Sequence, residues 1–165
     1  MVSEFEYLAL RNRPLGKPAM YQNWRDLLFL HISAPPQEAQ RLLPRTLDID
    51  TFPNEQGEER AWIGLVPFRM EGIRFRGLPA LPWLSAFPET NVRTYVHQDG
   101  KTPGVWFFSL DAARWLACKY ARLVFKLPYF HALMRAVRNG AALHYESKRP
   151  EGPQAKSTDR CRAGY

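Results

Sequence analysis

The sequence predicts a β-rich α+β fold, in which antiparallel strands are accompanied by a few short helices. The 92–109 region reads as a β-hairpin, because Val92-Arg-Thr-Tyr-Val96 and Gly104-Val-Trp-Phe-Phe-Ser109 flank the turn dipeptide Asp99-Gly100. Residues 60–68, Arg-Ala-Trp-Ile-Gly-Leu-Val-Pro-Phe, carry the aromatic and β-branched side chains that suit a pleated, half-buried surface. Helical spacing of apolar residues, in contrast, is sustained over only one stretch of more than two turns, 111–125.

The remaining elements follow in order. Residues 1–20 mix charge with Pro14, Gly16 and Pro18 and are expected to form an extended arm ahead of a single domain spanning 21–165. The apolar run Trp24–Ser33 reads as one buried strand, ended by Pro35-Pro36, which removes backbone donors. Ala39, Leu42 and Leu43 share a face of a short helix over 36–43, stopped by Pro44. Leu47, Ile49 and Thr51 alternate with Asp48, Asp50 and Phe52 in a strand that a turn over 53–59 returns into the 60–68 strand as a hairpin. Residues 69–88, with Gly72, Gly77, Pro79, Pro82 and Pro88, are expected to be a long surface loop near a cleft. For the 111–125 helix, Ser109 or Asp111 can cap the start by accepting an orphan amide bond. A further turn or two is expected over 130–137 and a strand over 142–147, with a polar loop and a final strand closing the chain. No internal repeat is present.

Composition bounds function. A hydrophobic share of 45%, with five Trp and ten Phe, supplies enough large side chains for a packed core. The apolar runs fall far short of the roughly 20 residues needed to cross a bilayer, and Glu4 and Glu6 stand where a secretory signal carries basic residues. Cys118 and Cys161 cannot make a disulfide framework or a zinc clip. A cytoplasmic home is expected. The net charge of +7 admits an acidic partner, yet the basic residues form no run and no nucleic-acid motif, so nucleic-acid binding is not expected beyond a weak, charge-driven kind. His31, His97, His131 and His144 lack the spacing of metal ligands, so no metal is expected. Ser109 next to Asp111 is better read as a helix cap than as part of a catalytic triad. No cofactor is implied. Trp62, Trp83, Trp106 and Trp115 read as core and cavity wall.

Two segments, Pro88-Glu-Thr-Asn-Val-Arg-Thr-Tyr-Val96 and Gly104-Val-Trp-Phe-Phe-Ser-Leu-Asp111 with Ala121-Arg-Leu-Val-Phe-Lys-Leu-Pro-Tyr129, carry a resemblance to the domain-of-unknown-function 2071 family of YqjF-like bacterial proteins. The likeness runs from about Trp24 to Arg149. It implies an acetoacetate-decarboxylase-like fold, a curved, barrel-like antiparallel sheet around an internal cavity with few helices. Members of that family continue with further strands after the point matching Gly164-Tyr165, which implies a shortened C-terminus here. Acetoacetate decarboxylase itself has a strand glutamate, a Gly-Arg-Glu segment and a Pro-Lys-Lys segment whose first lysine forms a Schiff base. The comparable positions are Glu89, Ala121-Arg122-Leu123 and Pro128-Tyr129-Phe130. Both lysines are absent, Lys126 lies at a different place and face, and Schiff-base decarboxylation is not expected.

Glu89, Asn91 and Arg93 alternate along one strand, so they share a face. Facing inward, they would line the cavity and grip a carboxylate or carbonyl, with Arg93 as a bidentate anchor. The alternative is an outward, solvated face with Thr90, Val92 and Thr94 inside. Arg122 is expected either to pair with Glu89 or to stand alone on the surface. Tyr129 would donate a hydrogen bond into the cavity or pack in the core. These five residues are the candidate ligand-binding set. They name no reaction and no nucleophile. The function they imply is binding of a small organic acid or carbonyl compound. The alternative is a non-catalytic module that self-associates through a sheet edge, where unpaired backbone groups invite a second chain.

Overall fold

A computed structural model describes residues 7–8, 11–12, 16–81, 85–140 and 142–150, and the backbone of 161–163. Most of the expected N-terminal arm, Trp83, the Cys161 side chain and the loop 151–160 lie outside these residues. The elements in chain order are β1 (Met20–Arg25), β2 (Leu30–Ala34), α1 (Pro36–Gln40), β3 (Asp48–Ile49), β4 (Thr51–Pro53), β5 (Glu59–Phe75), β6 (Phe87–Gln98), β7 (Lys101–Ala112), α2 (Trp115–Phe125), β8 (Tyr129–His131), β9 (Leu133–Asn139), β10 (Ala142–Lys148) and β11 (Cys161–Ala163). The expected β-rich architecture with few helices is present.

The larger sheet has the order β1-β5-β6-β7-β8, with β2 and β4 also on β5 and β3 on β6. A smaller antiparallel sheet has the order β11-β10-β9. Two features depart from the expected antiparallel barrel. Strand β8 runs parallel to β7, pairing Leu110 with Tyr129 and Ala112 with His131, which makes the sheet mixed. Among the described residues the strand path does not return to its start, so no closed barrel forms.

The chain falls into two compact units, one of residues 1–17, 30–65 and 92–108, the other of 18–29, 66–91 and 109–165. In the first, α1 is tied to the following strand by one side chain: the Gln40 amide donates to the Leu47 carbonyl (2.9 Å) and accepts from the Ile49 amide (2.7 Å). The expected hairpin of the 47–52 and 60–68 segments forms here, with Thr51 opposite Ala61 and Pro53 opposite Glu59. The second expected hairpin also forms, turning through Asp99 (φ 51°) and Gly100 (φ 71°), the pair of left-handed residues that a tight two-residue turn requires. The second unit has its core in Val66, Phe68, Met70, Phe87, Ala112 and Cys118, with Ile73, Ala113, Ala117 and Tyr129 packed against it. No helix among the described residues is long and apolar enough to cross a membrane.

Four expected elements are corrected. The Trp24–Ser33 run is not one buried strand. Asp26 adopts φ 52° and breaks it into β1 and β2, both largely exposed. Residues 69–75 are not loop, because β5 continues through them in register with β1, pairing Trp24 with Met70 and Met20 with Phe75. Gly72, at φ 62°, sits where that register shifts, and a Cβ there would come within 3.2 Å of the Asn23 amide nitrogen. Helix α2 starts at Trp115, since Leu110 to Ala112 are held in the sheet by β8, and its N-cap Arg114 makes no side-chain capping bond. The 130–137 segment is strand, β8 and β9, with no helical turn.

Candidate functional site

Strand β6 buries Phe87, Glu89 and Asn91, then changes phase and buries Thr94 and Val96. Alternate residues of a strand point to opposite faces, so the change marks where the buried side of β6 switches from that of Glu89 and Asn91 to that of Thr94 and Val96. Glu89 and Asn91 belong to the second unit, where they are 2% and 3% exposed. Arg93 belongs to the first, half-buried, with its Cγ 3.4 Å from where a Gly64 Cβ would stand and beside the His31 ring.

Around Glu89 the second unit assembles groups from five elements. Tyr129, on β8, donates its hydroxyl to Glu89 Oε1 at 3.1 Å. Tyr145, on β10, donates to the Glu89 main-chain carbonyl at 2.7 Å and lies 3.3 Å from that of Phe68, which pins β5 and β6 at this point. Glu89 Oε2 and Asn91 Oδ1 are buried with no hydrogen-bond partner. Burial penalises the charged carboxylate and pushes Glu89 up from 4.5 to about 7, although the Tyr129 bond pulls the other way. Burial followed by the nearby Glu89 charge raises Tyr129 well above the usual phenol range, so its hydroxyl keeps the proton it donates. Cys118, on α2, is buried, and burial lifts its thiol to about 11 despite the Arg122 charge, which makes it a poor nucleophile.

Arg122 is exposed and does not pair with Glu89. Its Nε donates to the Tyr129 carbonyl, and its guanidinium lies 5.4 Å from the Phe130 ring centre. It therefore contacts the main chain of Tyr129, the residue whose hydroxyl bonds Glu89. Beside it a pocket of about 270 Å³ is lined by Trp115, Cys118, Lys119, Arg122, Phe130, His131 and Pro150. The Lys119 ammonium sits 3.9 Å above the Trp115 ring, and Arg149 stacks 4.0 Å over Phe130 while forming a bidentate bond to Asp111 (2.5 and 2.9 Å). Among the described residues no carboxylate lines this pocket, so its walls combine aromatic faces with Lys119 and Arg122 and suit a small planar anion. Trp115, Cys118, Lys119 and Arg122 recur at helical spacing on α2, so this part of the wall has a signal in the sequence, although the spacing by itself marks only a shared face. His131 and Phe130 reach the site through the pairing of β8 with β7. Among the described residues no cluster of three or more His, Cys, Asp or Glu could hold a metal ion.

Residues 21–165 match the model of a domain-of-unknown-function family, DUF2071, described as "Uncharacterized conserved protein (COG2071)". The chain is 44% identical over 142 residues to the uncharacterized protein YqjF of Bacillus subtilis (strain 168), a match covering 86% of this chain and 56% of the relative. Among solved structures it is similar to acetoacetate decarboxylase from Legionella pneumophila, with a TM-score of 0.59 and 14% identity over 88% of this chain and 52% of that one. It is likewise similar to the enduracididine biosynthesis enzyme MppR complexed with the condensation product of pyruvate and imidazole 4-carboxaldehyde, with a TM-score of 0.58 and 11% identity over 82% and 53% of the two chains. This chain thus spans about half the length of the proteins it matches, and at these structural identities the likeness shows the fold alone. The fold is acetoacetate-decarboxylase-like, and the chain belongs to the domain-of-unknown-function 2071 family.

Proposed function

We propose that this chain binds a small organic acid or carbonyl compound in the pocket beside α2, with Arg122 and Lys119 holding the anionic end, Trp115 and Phe130 packing its planar part, and Glu89 held behind Cys118 by Tyr129. The observation that carries this reading is a pocket whose wall, among the described residues, holds two cations, two aromatic rings and no carboxylate. A ligand derived from pyruvate in the MppR structure belongs to the same chemical class. The bound compound is not processed through a Schiff base on β8, because Tyr129 and Phe130 carry no amine. A free, buried thiol at Cys118 fits a reducing cytoplasm.

Titration calorimetry with acetate, pyruvate and acetoacetate tests the reading. Binding by the intact chain should weaken by about tenfold in Arg122→Leu, the worth of one charge-assisted hydrogen bond. Equal affinity in the two proteins would remove Arg122 from the site.

A second reading, self-association, is favoured by α2, where Trp115, Leu116, Tyr120, Leu123, Val124 and Phe125 are all exposed. On this reading the associating surface is α2, whereas the sequence suggested a sheet edge.

A further inference from the structure

The two cations that line the α2 pocket are anchored to different elements. Lys119 follows Trp115 by one helical turn, and its ammonium is held 3.9 Å over that ring, back along α2. Arg122 comes later on the same helix, yet its Nε donates to the Tyr129 carbonyl and its guanidinium lies 5.4 Å from the Phe130 ring, so its head is tied to β8. Their spacing alone would let both heads meet on one anion, but the separate anchors draw them apart along the wall.

Charge in this wall is also unbalanced. The Arg149 guanidinium over Phe130 is matched by its bidentate bond to Asp111, and burial keeps the Cys118 thiol protonated. Lys119 and Arg122 remain, and among the described residues no negative group lines the pocket with them. A ligand with one carboxylate matches one of these cations and sets its apolar part against the other, which then loses water without gaining a partner. His131, also in the lining, adds a ring nitrogen able to hydrogen-bond a carboxylate.

Resting on the pocket reading above, we propose that the ligand is a dicarboxylic acid, with one carboxylate at Lys119 beside Trp115, the other at Arg122 beside Phe130, and a short carbon chain between them. The site then selects diacids over monoacids of the same shape, since only a diacid gives each cation its own partner.

Titration calorimetry on the intact chain tests this with three pairs in which a methyl replaces one carboxylate: fumarate and crotonate, succinate and butyrate, 2-oxoglutarate and 2-oxopentanoate. All are ionised at neutral pH, and the ionic strength is held at about 0.15 M so that only short-range charge contributes. At least one diacid should bind about tenfold more tightly than its partner, as one charge-assisted contact provides. The preference should fall to parity in Lys119→Met, which keeps an apolar stem on Trp115, and in Arg122→Leu; both positions are exposed, and melting curves report on folding separately. It should be unchanged in Lys126→Gln, which removes an exposed cation just past the end of α2 and outside the pocket. If monoacids bind and no diacid binds more tightly, the proposal is overturned while the acid-binding reading stands. A preference that survives both pocket variants, or that falls as far in Lys126→Gln, overturns it too, because the second carboxylate then lies elsewhere or answers only to the general positive field. Inorganic phosphate binding as tightly as the best diacid also counts against two separate carboxylate positions. If none of the six acids binds, both readings fail together.

Discussion

Glu89 concentrates the unusual physics of this chain in one side chain. An acid that titrates near 4.5 in an unfolded chain and near 7 when folded binds its proton more tightly in the native state. Between those two values the native protein carries a proton that the unfolded chain has lost, so stability falls as pH rises through this window. At roughly 1.4 kcal/mol per pH unit, the ionised carboxylate costs on the order of 3 kcal/mol above pH 7. Glu89→Gln keeps the Tyr129 bond and removes the charge. It should therefore melt several degrees higher than the natural protein at pH 8, with the gap closing towards pH 5; thermal scans at the two pH values show it, and a gap independent of pH would refute the cause. The alternation Glu89, Asn91, Arg93 revealed that polar groups share a face, but not where the buried phase shifts along β6, because that depends on what packs against the strand. Tyr129 was legible as a donor only by resemblance. His131 and Tyr145 reach the site through contacts between distant parts of the chain, for which a single sequence carries no signal.

At the scale of elements, local chemistry was read correctly where it was self-sufficient. Asp99-Gly100 dictates its turn, since both residues adopt positive φ and Gly100 does so without steric penalty. Gly100→Ala should cost about 1 kcal/mol, measurable by urea unfolding, and a neutral substitution would show that the turn relaxes to another type. Where pairing partners decide, local signals misled. The glycine and prolines of 69–88 suggested a loop, yet β1 supplies the hydrogen bonds that carry β5 on to Phe75. The helical periodicity of 111–125 was real, but its first residues are claimed by the ladder with β8. Within α2, small Cys118 and Ala121 face inward while the larger apolar side chains face out, the reverse of what size alone suggests.

For the molecule as a whole, the exposed apolar side of α2 bears on association. Leu123 is 80% exposed, so Leu123→Glu should change stability by no more than about 0.5 kcal/mol. If α2 mediates contact between copies, the natural chain should sediment faster as its concentration rises and Leu123→Glu should not. Identical concentration dependence in the two would place association elsewhere.

The site itself is tested most directly by an isotope-edited NMR titration of the Glu89 side-chain carboxyl in the ligand-free protein. Burial behind Tyr129 and Cys118 requires a midpoint of about 7. A midpoint in the ordinary carboxylate range, near 4.5, would mean that water reaches Glu89 freely and that no enclosed carboxyl stands behind the pocket.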